Sequence, residues 1–131
     1  MSSHLHTKHF TLDQARRCLG TSIPLVEELV QLKSQLGEQG YDVYRHKHFG
    51  GMGPNGQKHL PAEMDRLIAI LKELDGLGII VKNLNDGLID FPFLRSNGEE
   101  VYLCWKLGES EIYYWHTIAD GFSGRKPIEQ L

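Results

Sequence analysis

The chain has 131 residues, of which 40% are hydrophobic and 24% charged, and its formal net charge is −3. These values are ordinary for one soluble globular domain and exclude a chain that is disordered throughout. Because the net charge is negative, no apolar run reaches the length of a bilayer span, and the N-terminus lacks the apolar core of a signal peptide, we expect a cytoplasmic protein that binds neither nucleic acid nor membrane.

The N-terminal segment is polar and contains His4, His6 and His9 in an H-x-H-x-x-H pattern. Histidines at this spacing can chelate a divalent transition metal. The polar composition favours a flexible tail instead. We therefore predict a flexible, histidine-rich tail over residues 1–9 and a single folded domain over residues 10–131.

A first helix is predicted to begin after Thr11, which forms a capping box with Gln14. Apolar residues then recur at three- and four-residue steps to about Gln39, which is typical of one helix face. These residues are Leu12, Ala15, Leu19, Ile23, Val26, Leu29, Val30 and Leu36. Because Pro24 lacks an N–H, we expect the helix either to kink there or to restart with Ser22 as a new cap.

A second helix is predicted to begin at Pro61 and to end at Gly76 or Gly78. The two helices form an antiparallel hairpin over residues 10–78, joined by a glycine- and histidine-rich loop over residues 41–59. The first helix is much the longer, so part of its apolar stripe needs another partner. That partner is either the sheet or a second copy of the chain, and the latter predicts a homo-oligomer, most simply a dimer.

The long loop contains a glycine pattern over residues 51–56 that matches the letters of a dinucleotide-binding motif. Such a motif works where a strand delivers the glycine turn to a helix, whereas a helix precedes it here, which disfavours a nucleotide site. The cations Arg45, Lys47 and Lys58 leave two alternatives, an anion- or partner-binding loop and a simple connector.

Residues 79–131 read as a β-meander followed by a C-terminal loop. β-Rich runs at 79–81, 88–91, 101–107 and 112–116 are separated by turn residues, including Asn97-Gly98. The predicted fold is therefore α+β, in which an antiparallel helical hairpin with a long kinked first helix packs with a four-stranded antiparallel β-meander.

The last hairpin carries Cys104 and His116, and its register decides whether they meet. A two-residue turn at Gly108-Glu109 sends the two side chains to opposite faces. A three-residue turn pairs Tyr102 with His116 and puts Cys104 and His116 on the same, partly polar face. In this register Ile112 lies on that face and Tyr113 on the apolar one. We favour the second register because it divides polar from apolar residues better.

Thiolate and imidazole are ligand types of zinc and other divalent transition metals. A site would need further ligands, for which Asp90, His46 and His48 are the candidates. Two alternatives use the same residues: a thiolate–imidazolium pair for nucleophilic catalysis, and a core thiol beside a hydrogen-bonded histidine. Neither cysteine belongs to a disulfide framework, so we expect free thiols.

Asp90 is an acid inside an apolar strand, so a buried position would require it to be paired or protonated. Its expected partner is a cation, Arg95, Lys106 or Arg125, and a catalytic acid is the alternative. The full set of candidate ligand-binding residues, from hairpin and loop together, is Asp90, Arg95, Trp105, Arg125, Arg45 and Lys58.

Several segments along most of the chain together resemble the bacterial "domain of unknown function 2203" family. They are Phe10–Leu12, Val81–Leu84, Gly87–Pro92, Val101–Glu109, Trp115-His116, Asp120–Phe122 and Gly124-Arg125. The resemblance implies one intact domain. It implies no activity and no catalytic residue.

Three functions follow from these patterns. The first is a small ligand-binding domain, with zinc or another divalent transition metal as its ligand. The second is a non-catalytic oligomeric adaptor or scaffold built on the helical hairpin. The third is a hydrolase or transferase that uses Cys104 as its nucleophile.

Overall fold

In the computed structural model, which describes residues 4–45 and 61–131, two helices cover one face of an antiparallel sheet. Helix α1 spans Leu12–Glu38 and α2 spans Ala62–Gly76. The strands are Ile80–Asn83 (β1), Leu88–Leu94 (β2), Glu100–Lys106 (β3), Tyr114–Thr117 (β4) and Lys126–Pro127 (β5). Over the described residues they form one sheet in sequence order. Neither of these two helices is long and apolar enough to cross a membrane.

The predicted α+β class and antiparallel meander are confirmed, but the sheet has a fifth strand. β5 is two residues long and pairs with Tyr114 and Trp115 of β4. A strand this short carries no alternating pattern, so the sequence indicates only a loop there. The sheet edge suits Pro127, which cannot donate a ladder hydrogen bond. Its carbonyl accepts a hydrogen bond from Nε1 of Trp115 at 3.1 Å.

Helix α1 begins at the predicted capping box. The Gln14 N–H donates to Thr11 Oγ1 at 3.0 Å, and the Thr11 N–H donates to the Gln14 side chain at 2.9 Å. The helix is one element through Pro24, so a restart capped by Ser22 is wrong. Ser22 is buried and its hydroxyl donates to the Cys18 carbonyl at 2.8 Å. The kink at Pro24 stays a prediction from the proline alone.

The apolar stripe of α1 is largely buried within the single chain. Ala15, Leu19, Val26, Leu29, Leu32 and Leu36 are all buried. The turn between β1 and β2 supplies part of the cover: a Cβ added at Gly87 would lie 3.1 Å from Val26 and 3.2 Å from Val30. The sheet thus accounts for the stripe that outruns α2. The dimer was predicted because part of the α1 stripe lacked a partner within the chain. That reason no longer applies, and the dimer stays a prediction.

Helix α2 has Pro61 at its N-cap, one position before the place that the sequence indicated. It ends just before Gly78, whose φ of +90° is the left-handed stop that was predicted. Of the predicted 41–59 loop, Val43–Arg45 form a short 3-10 turn on which Val43 is buried. Residues 46–60, which include His46, His48, Lys58 and the glycine-rich segment, lie outside the described residues.

Residues 4–9, for which the sequence predicts a flexible tail, contact the sheet in the structure. The backbone N–H groups of Leu5 and His6 donate to the carboxylate of Glu100, at the start of β3. Phe10, which follows, is buried in the core, and its N–H donates to the Pro92 carbonyl at 2.8 Å. The N-terminal segment therefore lies against the sheet.

Candidate metal centre

Strand alternation divides the side chains of the sheet between two faces. The face that packs against the helices carries Ile89, Phe91, Leu103, Trp105 and Trp115, all part of the hydrophobic core. The opposite face carries Asp90, Cys104 and His116. Asp90 is paired with Cys104 across β2 and β3, and Tyr102 is paired with His116 across β3 and β4. The three chemically distinctive residues are thus brought to one face.

The β3–β4 register is the one in which Cys104 and His116 share a face, as the three-residue turn requires. The strands end before that turn, however, because β3 stops at Lys106 and β4 starts at Tyr114. Alternation does not continue through the connecting residues. Ile112, predicted for the polar face, is buried in the core, and Tyr113, predicted for the apolar face, is 48% exposed.

Asp90, Cys104 and His116 form one compact, buried cluster. Their ligand atoms, a carboxylate oxygen, the thiol sulfur and an imidazole nitrogen, all lie within 4.8 Å of one another. The exposed fractions are 0% for Asp90, 0% for Cys104 and 2% for His116. Nε2 of His116 lies 3.0 Å from Oδ2 of Asp90, and Nδ1 lies 2.7 Å from the Thr117 carbonyl oxygen.

These two contacts constrain which nitrogen atoms of His116 carry protons. A carbonyl oxygen only accepts, so Nδ1 carries a proton and donates it to Thr117. The contact between Nε2 and Asp90 then needs a second proton, held either by the imidazole or by the carboxyl group. Burial disfavours the imidazolium, but the bonds to Asp90 and Thr117 outweigh it and raise the pKa of His116 above its ordinary value.

The thiol of Cys104 is held in its protonated form. Burial raises the pKa of this thiol most, and the neighbouring Asp90 carboxylate raises it further, against a smaller opposing effect of Arg125. A nucleophilic cysteine needs the reverse, a lowered pKa and a free imidazole nitrogen beside it. Since both nitrogens of His116 are already bonded, the geometry does not favour the nucleophile hypothesis.

Oδ1 of Asp90 is buried and has no hydrogen-bond partner among the described residues. A buried acceptor left in this state costs about 1–3 kcal/mol. Such a cost calls for a compensating function or an additional partner. A cation bound between the three side chains would give this oxygen a ligand role, so the donor set and its orphaned oxygen fit a metal ion.

The structure corrects the predicted partner of Asp90, which is His116 and none of the three expected cations. Arg95 pairs with Glu99 at 2.9 Å and lies over the Trp115 ring. Lys106 lies over the Phe122 ring, with its Nζ 5.6 Å from the ring centroid.

Arg125 contributes to the lid of the cluster rather than to a ligand site. Its guanidinium donates to both carboxylate oxygens of Glu109 at 3.0 Å. It also lies 4.1 Å from the Tyr114 ring centroid and 4.3 Å from that of Phe122. The guanidinium is therefore hydrogen-bonded to Glu109 and in contact with two aromatic rings. Its positive charge also acts on the nearby Cys104 thiol.

The remaining predicted site residues do not join the cluster. Trp105 is buried in the core on the helix side of the sheet, and its Nε1 donates to the Glu109 carbonyl at 2.9 Å. Arg45 is exposed at the end of its 3-10 turn. His46, His48 and Lys58 are outside the described residues, so their proposed roles stay predictions.

Two residues near the cluster were missed as functional candidates, Tyr102 and Glu100. The Tyr102 ring lies beside the His116 ring with centroids 5.5 Å apart, and its hydroxyl is 2.6 Å from Nε2 of His6. Glu100 accepts hydrogen bonds from the N-terminal segment, including one from Nε2 of His9 at 2.7 Å. His6 and His9 are thus engaged separately, unlike the chelate that their spacing suggested. Tyr102 is two residues from Cys104 on β3, so strand alternation places both side chains on the same face of the sheet.

The comparisons with known proteins identify a family but no activity. Residues 8–128 match the model of a family described as "Uncharacterized conserved protein (DUF2203)". The chain belongs to the DUF2203 family. No curated protein matches the chain, and no solved structure does. In this DUF2203 protein, the buried cluster of Asp90, Cys104 and His116 is the part of the described structure with ligand chemistry.

Raising the pH should weaken the metal-free protein through His116. A histidine whose folded pKa is raised stabilises the fold fully below its ordinary value of 6.5 and loses that contribution as the pH rises through the folded value. We expect the free energy of unfolding of the wild type to fall relative to that of His116→Gln as the pH rises above about 6.5. Urea unfolding at stepped pH checks this. Parallel pH profiles for the two proteins would contradict the assignment.

Proposed function

We propose that this protein is a small binding domain for a divalent transition metal, held by Asp90, Cys104 and His116. One observation carries the proposal: three different metal-ligating groups converge within 4.8 Å in a site that is almost fully closed to solvent. Exposed acidic and histidine groups meet by chance on many surfaces. A buried convergence of this kind is far rarer, because buried polar groups are costly without partners.

The donor set selects among metals. Thiolate and imidazole ligands suit zinc and its d-block neighbours, whereas calcium and magnesium take oxygen ligands. The hydrogen bond from Nδ1 of His116 to the Thr117 carbonyl supports the same conclusion. In metal sites the second ring nitrogen of a ligating histidine is usually anchored in this way, which aims the first one at the ion.

The geometry needs a modest contraction to hold a tetrahedral ion. With bonds of about 2.0–2.3 Å, the ligand atoms of such an ion lie roughly 3.3–3.7 Å apart. The largest separation of 4.8 Å must therefore shorten by about 1 Å. This is within the range of a side-chain rotation about Cα–Cβ bonds and leaves the strand register unchanged.

A fourth coordination position is left for another donor. Among the described residues, no further histidine, cysteine, aspartate or glutamate belongs to the cluster. Three protein ligands with one open position are the pattern of sites that bind water or a small molecule. His46 or His48 would complete the site instead if the 41–59 loop reached it, which keeps both residues as proposed ligands.

Cobalt(II) titration tests this function, because a thiolate–cobalt bond gives a strong near-ultraviolet charge-transfer band. We expect one equivalent per chain in the wild type, and loss of the band in Cys104→Ala. His116→Ala and Asp90→Asn should weaken binding more than about 100-fold, since changes to outer-shell partners alone cost 10–100-fold.

Two matched variants control this experiment. Cys18→Ala removes the other thiol of the chain, which lies on α1, and should leave the band unchanged. His4→Gln tests whether the N-terminal histidines scavenge the metal, without deleting residues that contact Glu100. A band that survives Cys104→Ala, or no binding at micromolar protein, would contradict the proposal.

A further inference from the structure

The metal cluster is buried even though it lies on the sheet face opposite the helices. α1 and α2 therefore do not cover it. Among the described residues, two other segments contact this outer face: residues 4–9, here called the N-terminal strap, and the loop that contains Phe122 and Arg125. Lys82 of β1 also lies beside this face, with its Nζ 4.9 Å from the Tyr102 ring centroid. Because Asp90, Cys104 and His116 are buried, an ion needs a cover to move, and these two segments are the candidates among the described residues. The segment with fewer independent contacts is expected to move first.

Three hydrogen bonds attach the N-terminal strap to one carboxylate, in addition to the bond between His6 and Tyr102. Oε1 of Glu100 accepts the Leu5 N–H at 2.7 Å, and Oε2 accepts the His6 N–H at 3.1 Å and Nε2 of His9 at 2.7 Å. The Glu100 side chain is only 6% exposed, and the bonds from His6 and His9 are partly buried, whereas the bond from Leu5 is at the surface. Charge-assisted bonds of this kind are among the stronger ones, and all three depend on the same group.

Apolar packing adds little to this attachment. Leu5 is 70% exposed, and the first of the described residues to enter the core is Phe10. A groove of about 310 Å³ separates the strap from the end of α2, lined by His6, Thr7, Lys8, Asp75 and Gly76 together with residues of β1 and β2. The strap can therefore leave as one unit about Phe10 without opening the core.

Tyr102 connects the strap to the cluster. Its ring lies between the His6 ring, 5.4 Å away, and the His116 ring, 5.5 Å away, measured between centroids. Its hydroxyl is 2.6 Å from Nε2 of His6. With the strap in place Tyr102 is 4% exposed and covers His116. Departure of the strap removes this restraint on the Tyr102 ring.

The alternative cover is anchored at many independent points. Arg125 is bonded to Glu109 through two oxygens and lies between two aromatic rings. Directly after it, β5 pairs with β4, and the Ile128 N–H donates to the Tyr113 carbonyl at 2.9 Å. Many separate contacts hold this loop, whereas three hydrogen bonds of the strap share the single carboxylate of Glu100.

We propose that the N-terminal strap is a removable cover, latched by Glu100, whose opening is the route by which the metal enters and leaves. The inference rests on the proposed function in so far as the exchanging ligand is a metal. That the strap controls access to Cys104 is a property of the protein with or without metal, and it is measured separately.

Metal exchange gives the first test. Cobalt(II) release from the loaded protein into excess chelator, followed by stopped flow, should be about tenfold faster in Glu100→Gln, because the neutral amide cannot hold all three donors. Association should accelerate similarly, so that the affinity changes less than about threefold. The matched control is Glu99→Gln, the adjacent acid, which pairs with Arg95 instead and should exchange at the wild-type rate.

Thiol access gives the second test, which needs no metal. In a Cys18→Ala background Cys104 is the only thiol, and its reaction with dithiobis(nitrobenzoate) reports opening of the cover. Glu100→Gln should react about tenfold faster, and His6→Leu, which removes only the bond to Tyr102, should show a smaller increase. Equal melting temperatures in Glu99→Gln and Glu100→Gln show that global unfolding is not the cause.

The outcomes separate the two proposals. Faster thiol reaction in Glu100→Gln without any metal binding would support the strap as a cover and overturn the metal function. Metal binding with unchanged exchange and unchanged thiol reaction would overturn the strap alone. Acceleration in Phe122→Ala but not in Glu100→Gln would also overturn it, because the C-terminal loop would then be the moving cover.

Discussion

Replacing His116 by alanine should lower the free energy of unfolding of the metal-free protein by about 3–5 kcal/mol. The reason is the partner that the change leaves behind. Asp90 is fully buried and its Oδ1 already lacks a hydrogen bond among the described residues. Without His116 its Oδ2 loses the 3.0 Å contact as well, so the change leaves a buried carboxyl group without its histidine partner. Urea unfolding near pH 6.5, with chelator present, measures the loss.

A second histidine–carboxylate pair in the same chain serves as the control for this prediction. His9 contacts Glu100 at 2.7 Å, but its side chain is 16% exposed and Glu100 keeps two backbone donors. His9→Ala should therefore cost only about 1 kcal/mol or less. The double variant Asp90→Ala with His116→Ala should cost less than the two single changes added together, because each single change leaves a buried group unpaired. Equal losses in His116→Ala and His9→Ala would contradict the prediction.

The sequence predicts those features that depend on residues close together in the chain. The capping box of Thr11 and Gln14 and the stop at Gly78 are signals within a few residues, and both lie where the structure has them. The shared face of Asp90, Cys104 and His116 also follows from a local rule, since side chains alternate along a strand once the register is given. The composition of the candidate site was therefore within reach of the sequence.

The contacts that the sequence did not reveal depend on loops and on distant partners. Arg125 was expected to face Asp90, but the connection between β3 and β4 presents Glu109 to it instead. The N-terminal strap is polar enough to resemble a free tail, and its partner Glu100 lies more than ninety residues away in the chain. No pattern in residues 4–9 encodes that contact, because it is made mainly by backbone N–H groups that every sequence has.

Zinc binding should be strongly linked to pH, with the apparent affinity rising about 100-fold between about pH 5.5 and 6.5. Two protons have to leave for the metal to bind. One lies between Nε2 of His116 and Asp90, because Nδ1 is already committed as a donor to Thr117. The other is on the Cys104 thiol, whose pKa is raised by burial and by Asp90. Each displaced proton contributes about a tenfold change per pH unit.

This slope identifies which ligands coordinate, and Cys104→Ser isolates one of them. A serine hydroxyl keeps its proton at these pH values, so the variant should bind more weakly and show a rise of only about tenfold over the same interval. Competition with a chromophoric chelator gives the affinities, and calorimetry in two buffers of different ionisation enthalpy counts the protons. If the wild-type affinity rose only about tenfold per pH unit, metal binding would displace one proton and not two. Either the thiol or the His116–Asp90 pair would then stay protonated. The three residues would then not act together as ligands.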